Sequence, residues 1–209
     1  SALQQLTDSG LAYRRGTPPG ATYTFKHALV QDAAYDSLLK SRRADLHQRI
    51  AKALENRLAD SVDIQPEIIA HHYSAAGLAE QAIPYWLKAG HNATTRAAYR
   101  ESAAHLARGR ELLRALVPGP DRDKRELELM LELGEAQIRG GEGPLAMKTF
   151  EQAVHMARTL EDIEILARAA IGYADASWRP GVPDRASVRL LHEASRALGA
   201  DESELKVKV

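Results

Sequence analysis

Eight histidines and no cysteine bound the chemistry open to this 209-residue chain. Without thiols there is no cysteine nucleophile, no disulfide framework and no thiolate zinc site. His71 and His72 are adjacent, so on a helix they point in different directions, and no Glu follows at the spacing of a zinc peptidase. His105, His155 and His192 fall one to a helical segment, and only tertiary accident would join them at a metal. The stretch Gly143-Pro144-Leu145-Ala146-Met147-Lys148-Thr149 has the outline of a phosphate-binding loop. Yet Met147 stands where such a loop needs a Gly before its Lys, and helical sequence flanks it on both sides. Arg14, Arg15, Lys40, Arg42 and Arg43 could meet nucleic-acid phosphates or form a solvated, docking face; the balance of 28 basic against 28 acidic residues favours the second. The expectation is a segment with no catalytic residue, no metal and no cofactor of its own.

The elements that would position these groups are almost all helical. No apolar run approaches the roughly 20 residues that span a bilayer, so no membrane partner is expected. Leu3 and Leu6 share a helical face that Gly10 stops. Two short segments around Gly16-Thr17-Pro18-Pro19-Gly20 predict a β-hairpin over about 11–26. A helix over 27–57 follows, with Leu29, Ala33, Leu38, Leu39, Leu46, Ile50, Ala53 and Leu54 on one face and a break near Ser41. Helix, hairpin, helix reads as the C-terminal part of a winged-helix domain over 1–60, or as a helical domain bearing a decorative hairpin. Beyond 64 the sequence becomes Ala-rich, with helices expected at 66–76, 79–97, 99–116, 122–139, 144–160, 162–178 and 184–198. Residues 200–209 read as a truncated tail. A chain opening on Ser1 inside a helical pattern reads as a piece of a longer, cytoplasmic protein.

The helices repeat. From Gly90, Trp86 lies four residues before, and Ser102, Leu106 and Gly109 lie 12, 16 and 19 after, with Tyr99 at the turn. From Gly134, Met130 lies four before, and Ala146, Phe150 and Ala153 lie 12, 16 and 19 after. Gly172 opens a third copy in which Ser187, Leu191 and Ala194 fit after a three-residue insertion. Small residues let two antiparallel helices approach, and a large apolar residue plugs the groove to the next pair. Trp86 and Trp178 at this spacing read as core. The pattern over 64–199 resembles the tetratricopeptide repeat family; a generic helical bundle is the alternative. The resemblance implies an all-α, right-handed helical array with a concave face for a protein or peptide.

A second resemblance rests on Phe25-Lys26-His27-Ala28-Leu29-Val30-Gln31-Asp32-Ala33-Ala34-Tyr35, Ser37-Leu38-Leu39, Arg42-Arg43, Leu46-His47 and Ile50-Ala51-Lys52-Ala53-Leu54-Glu55. It is supported by Ala76-Gly77-Leu78-Ala79-Glu80-Gln81-Ala82-Ile83-Pro84-Tyr85-Trp86 and Arg125-Glu126-Leu127-Glu128-Leu129. These words resemble the signal-transduction ATPases with numerous domains, in particular bacterial proteins that join a class III adenylate/guanylate cyclase domain, an AAA-like ATPase and helical repeats. The resemblance implies a winged-helix piece closing over ATP or ADP on an upstream ATPase domain of the same chain. His27 matches the His of the family's Met-His-Asp motif, which reaches the ADP phosphate; Lys26 and Ala28 replace its neighbours. The plainer role for His27 is to cap the helix that follows. The expected function is non-catalytic partner recognition and control of that upstream switch, probed against two alternatives: a DNA-binding regulator using the wing, and a fragment of an enzyme.

Overall fold

The structure is a computed structural model, and it describes residues 2–18, 20–58, 65–178 and 184–199. Its elements, in order, are α1 (Ala2–Asp8), β1 (Ala12–Arg15), β2 (Thr22–Phe25), α2 (Ala28–Asp36), α3 (Lys40–Leu58), α4 (Pro66–Ala75) and α5 (Ala79–Thr95). Then come α6 (Tyr99–Arg114), α7 (Pro120–Arg139), α8 (Gly143–Thr159), α9 (Ile163–Ser177) and α10 (Arg185–Ala197). Among the described residues the fold is therefore all-α with one antiparallel hairpin, in which Ala12 pairs with Phe25 and Arg15 with Thr22. No helix among the described residues is long and apolar enough to cross a membrane.

From α3 onward each helix packs against the next in chain order, and α7 also touches α9. That sequential stacking is what a helical-repeat array requires: each helix buries its apolar stripe on its neighbours. The cores follow the same order. Ala51, Ile69, Tyr73 and Ala82 join α3, α4 and α5. Ile83, Ala103, Leu106, Leu113, Leu129 and Leu133 join α5, α6 and α7. The largest core centres on Phe150 and runs from Leu127 to Ala194 across α7 to α10.

One turn geometry recurs between helices. At Gly77, Ala97, Gly141 and Glu161 the backbone is left-handed, with φ of 74°, 57°, 79° and 57°. In each case the next amide reaches back five residues: Leu78 to Tyr73, Ala98 to Ala93, Glu142 to Gln137 and Asp162 to Ala157, at 2.8–3.0 Å. The bond satisfies a carbonyl at the helix end and aims the chain into the following helix. Gly10 closes α1 in the same way, with Leu11 bonded to Leu6 at 3.0 Å.

Two expectations are corrected. The helix expected over 27–57 is two helices parted at residues 37–39, beside the expected break, and the first part of its apolar stripe is not buried: Leu29 is 81 % and Leu39 77 % exposed, whereas Leu54 packs on the first core. Trp178, read as core, is 74 % exposed. It is the C-cap of α9, where ψ swings to 125° and the helical periodicity that would bury it ends.

Candidate functional site

The repeat residues occupy closely fitted positions between helices. A Cβ at Gly90 would lie 2.8 Å from the Leu106 side chain, so α5 meets α6 only because that position carries none. A Cβ at Gly134 would collide with the Phe150 ring, and so would one at Gly172. Phe150, 1 % exposed, is thus clasped by two glycines, one on α7 and one on α9. Gly172, which sequence spacing pairs with Leu191, faces Phe150 of the preceding pair; Leu191 is half-buried against the same core. Ala146 and Ala153 are fully buried on α8 beside it. Trp86 is half-buried, donates its indole N–H to Ser74 Oγ at 3.0 Å and stacks on His105. Tyr99, the first residue of α6, carries the Arg139 guanidinium 5.8 Å from its ring centre.

Two pockets open on a shared side of α7. One, of about 270 Å³, lies between α5, α6 and α7 and is lined by His91, Thr94, Tyr99, Glu132, Glu135 and Arg139. The other, of about 380 Å³, lies between α7 and α9 over Phe150, with Arg168, Ile171 and Asp175. Glu135 and Arg139 belong to both, so α5, α7 and α9 line one run of polar surface over an apolar floor. His91 and Glu132 pair across it at 2.7 Å. A third pocket, of about 650 Å³, lies between α8, α9 and α10, where Arg158 grips Glu193 with two bonds of 2.6 and 2.7 Å. That pair holds the Glu193 carboxyl below its ordinary range.

Two polar knots tie the array internally. Glu126, 4 % exposed on α7, is bonded by Arg122 at 2.6 Å and approached by Arg110 at 3.4 Å and Arg114 at 3.6 Å; Arg110 also donates to Gln152 on α8 at 2.8 Å. Glu55 on α3 accepts from Tyr73 at 2.6 Å and Tyr85 at 2.5 Å. These hydrogen bonds hold the Glu55 carboxyl below the usual carboxylate range. Burial, with Glu55 alongside, pushes the Tyr73 phenol up to about 12 and raises Tyr85 as well.

His27 lies where the sequence placed it, at the N-cap of α2, exposed and with extended backbone. Its carbonyl accepts from Val30 and Gln31, but its side chain makes no capping bond. The segment resembling a phosphate loop is the first half of α8, with Thr149 buried and donating to Gln137 at 2.8 Å. Of the basic residues near the hairpin, Arg42 pairs with Asp45 at 3.0 Å, Arg43 with Asp36 at 3.3 Å, and Arg14 donates to Gln4 at 3.4 Å.

Sequence reasoning missed one grouping. His47, His71 and His72, which come from two helices, meet beside Tyr35 from a third. Tyr35 Oη lies 2.9 Å from His47 Nε2, and His47 Nδ1 lies 2.8 Å from His72 Nδ1. The His71 ring stands 6.2 Å from that of His47 and 5.7 Å from that of His72, both edge-on. The available signal was that His47 sits four residues before the buried Ala51 on the α3 face that receives α4. No group of three or more His, Asp or Glu among the described residues has the arrangement to hold a metal ion.

The fold is thus a tetratricopeptide-like helical array preceded by a small α/hairpin unit. No protein-family model matches the chain. It is similar to an uncharacterised protein of Rhizobium meliloti (strain 1021), at 28 % identity over 160 residues, covering 76 % of this chain and 16 % of that protein. Among solved structures it is similar to a kinesin light chain-like protein of Podosopora anserina with nearly identical TPR-like repeats. The match covers 83 % of this chain and 97 % of that one, with a TM-score of 0.45 and 14 % identity. A single-substitution variant of the same protein matches with a TM-score of 0.44, also at 14 % identity, covering 76 % of this chain and 95 % of that one.

Proposed function

We propose that this chain is a non-catalytic interaction and control module. Its helical array binds a protein or peptide partner, and its N-terminal unit transmits that state to a nucleotide-switch ATPase upstream in the full-length protein. A class III cyclase domain is the output we assign to that protein. The observation that carries the reading is the contrast between an array whose successive helices share buried cores and an N-terminal unit whose apolar residues stand in solvent. Leu29, Tyr35, Leu39, Leu3 and Tyr13 are all exposed, which suits a unit that packs on another domain. The polar run along α5, α7 and α9 supplies the surface for a partner. In the Rhizobium protein the matched stretch is a sixth of the length, so the equivalent region works beside a much longer chain. His27, exposed at the mouth of α2, is available to an anion there, and a helix N-terminus favours one electrostatically.

The test is ADP retention by the full-length protein, wild type against His27→Ala. A hydrogen bond to a charged group contributes about 1.5–3 kcal/mol, so the variant should lose ADP roughly ten-fold faster or more. Unchanged retention would remove the phosphate role and leave the array as a scaffold with no link to a nucleotide.

A further inference from the structure

We propose that Tyr35, His47, His71 and His72 form a proton-operated latch that joins α3, with α2 tied to it, to α4 at neutral pH and loosens that joint on mild acidification. The inference rests on the geometry of this chain alone and does not depend on the identity of any upstream domain.

A single proton lies between the two facing nitrogens, His47 Nδ1 and His72 Nδ1, 2.8 Å apart. If Tyr35 donates to His47 Nε2, then His47 donates from Nδ1 to His72 Nδ1; every imidazole is neutral and each contact is satisfied. One added proton can be absorbed by reversing the chain: His72 donates to His47, and His47 Nε2–H donates to the Tyr35 oxygen. A second proton puts N–H on both facing nitrogens, and the bond between α3 and α4 becomes a repulsion.

Among the described residues no carboxylate forms an ion pair with any of the three imidazoles, so no direct ion pair offsets that second charge. Asp45, two residues before His47 on α3, is taken by Arg42. On α2, Asp36 is taken by Arg43 of α3; the Arg43 guanidinium lies 5.0 Å from the Tyr35 ring centre, adding positive charge to the cluster. Further along α3 and α4, Glu55 is occupied by Tyr73 and by Tyr85 of α5. Burial first, and then neighbouring imidazoles, hold both His47 and His72 below the ordinary histidine value.

The joint so loosened attaches the N-terminal unit to the array. α3 meets α4 at Ala51, Ile69 and Tyr73, while α2 buries none of its residues and among the described residues is tied to α3 by the Tyr35–His47 bond and the Asp36–Arg43 pair, which protonation leaves in place. A group whose pKa is depressed in the closed state leaves the latch whole above the open-state value near 6.5. The latch then weakens as pH falls below that value, because the open form takes up the protons first.

Hydrogen exchange of the whole chain at pH 7.5 and 5.5, corrected for intrinsic exchange, tests this. Protection of the α3 amides around His47 and the α4 amides around His71 and His72 should fall roughly ten-fold for each pH unit of linked shift, while α7 to α9 stay unchanged. Tyr35→Phe should lower α2 protection at both pH values, since it removes a tie that protonation of His47 leaves in place. The double variant His47→Gln/His72→Gln keeps hydrogen-bonding amides and should be flat with pH. Wild-type protection of α3 and α4 that does not change between the two pH values would overturn the proposal. So would a fall that persists unaltered in the double variant.

Discussion

Residues 2–39 and the array from α4 to α10 are built from the same kinds of local structure but solve burial differently. In the first region every element is locally specified: Gly10 closes α1, a Pro/Gly-rich loop reverses the hairpin, and His27 caps α2 with its backbone. Yet Ala12 is the one buried residue among those described there. In the array each helix contributes a stripe to a core shared with the next, and Ala, Gly and Leu positions are fully enclosed. Turn and cap chemistry is therefore enough to draw an element but not to anchor it. The array can stand on its own contacts, whereas the N-terminal unit gains its tertiary order from the few side chains at α3, or from whatever covers Leu29 and Leu39.

The strongest way to break this contrast is to remove one large side chain from each region. Phe150→Ala empties the space between Gly134 and Gly172 and should cost about 3–5 kcal/mol, the range for deleting a buried aromatic. Leu29→Ala, on a side chain 81 % exposed, should move stability by no more than about 0.5 kcal/mol. Urea unfolding of each variant, followed by helical circular dichroism, measures both. Comparable losses would mean that the N-terminal unit has a core of its own.

A second probe sharpens the comparison within polar contacts. Glu126→Gln leaves Arg110, Arg114 and Arg122 crowded around an uncharged amide between α6 and α7, and should cost about 3–5 kcal/mol as a broken buried charge network. The Asp36–Arg43 pair, which ties α2 to α3, has an aspartate 76 % exposed. Asp36→Asn should therefore cost at most about 1 kcal/mol by the same unfolding measurement. A small effect at Glu126 would show that the arginines turn out to solvent when released.

What the sequence made legible follows the same division. In the array, apolar periodicity and the Gly-to-large spacing located every helix and the Gly90–Leu106 and Gly134–Phe150 fits, because the pattern there is the packing. The clasp of Phe150 by Gly172 was hidden: it joins one pair to the next, and spacing within a pair says nothing about partners across it. For residues 27–39 periodicity misled, since Leu29 and Leu39 keep helical spacing yet stand exposed, while Leu54 further along the same stripe packs on a core. The histidine cluster was illegible for a plainer reason. Adjacent His71 and His72 diverge on their own helix, and only the docking of α3 brings His47 to them.

The turns offer the finest test of how far local geometry is subordinate to packing. Gly77 and Gly141 supply the left-handed residue at two of the four array turns, where φ is 74° and 79°. Ala97 and Glu161 hold the same conformation with a side chain attached, at φ 57°. For an L-residue other than glycine that conformation costs on the order of 1 kcal/mol, and here it is offset by the backbone bond to Ala93 or Ala157 and by the helices it brings together. Ala97→Gly removes the strain but adds freedom to the unfolded chain, so the net gain should be only about 0.5 kcal/mol. Gly77→Ala should run the other way by about 1 kcal/mol, since no atom within 4 Å opposes a Cβ there and the backbone angle alone is at issue. Opposite signs for the two substitutions in urea unfolding would establish that the turns are equivalent units whose residues differ only in how well they suit the angle. Equal signs would mean that the turn at Ala97 relaxes in solution, and that its regularity is imposed by α5 and α6 packing at Gly90 and Leu106.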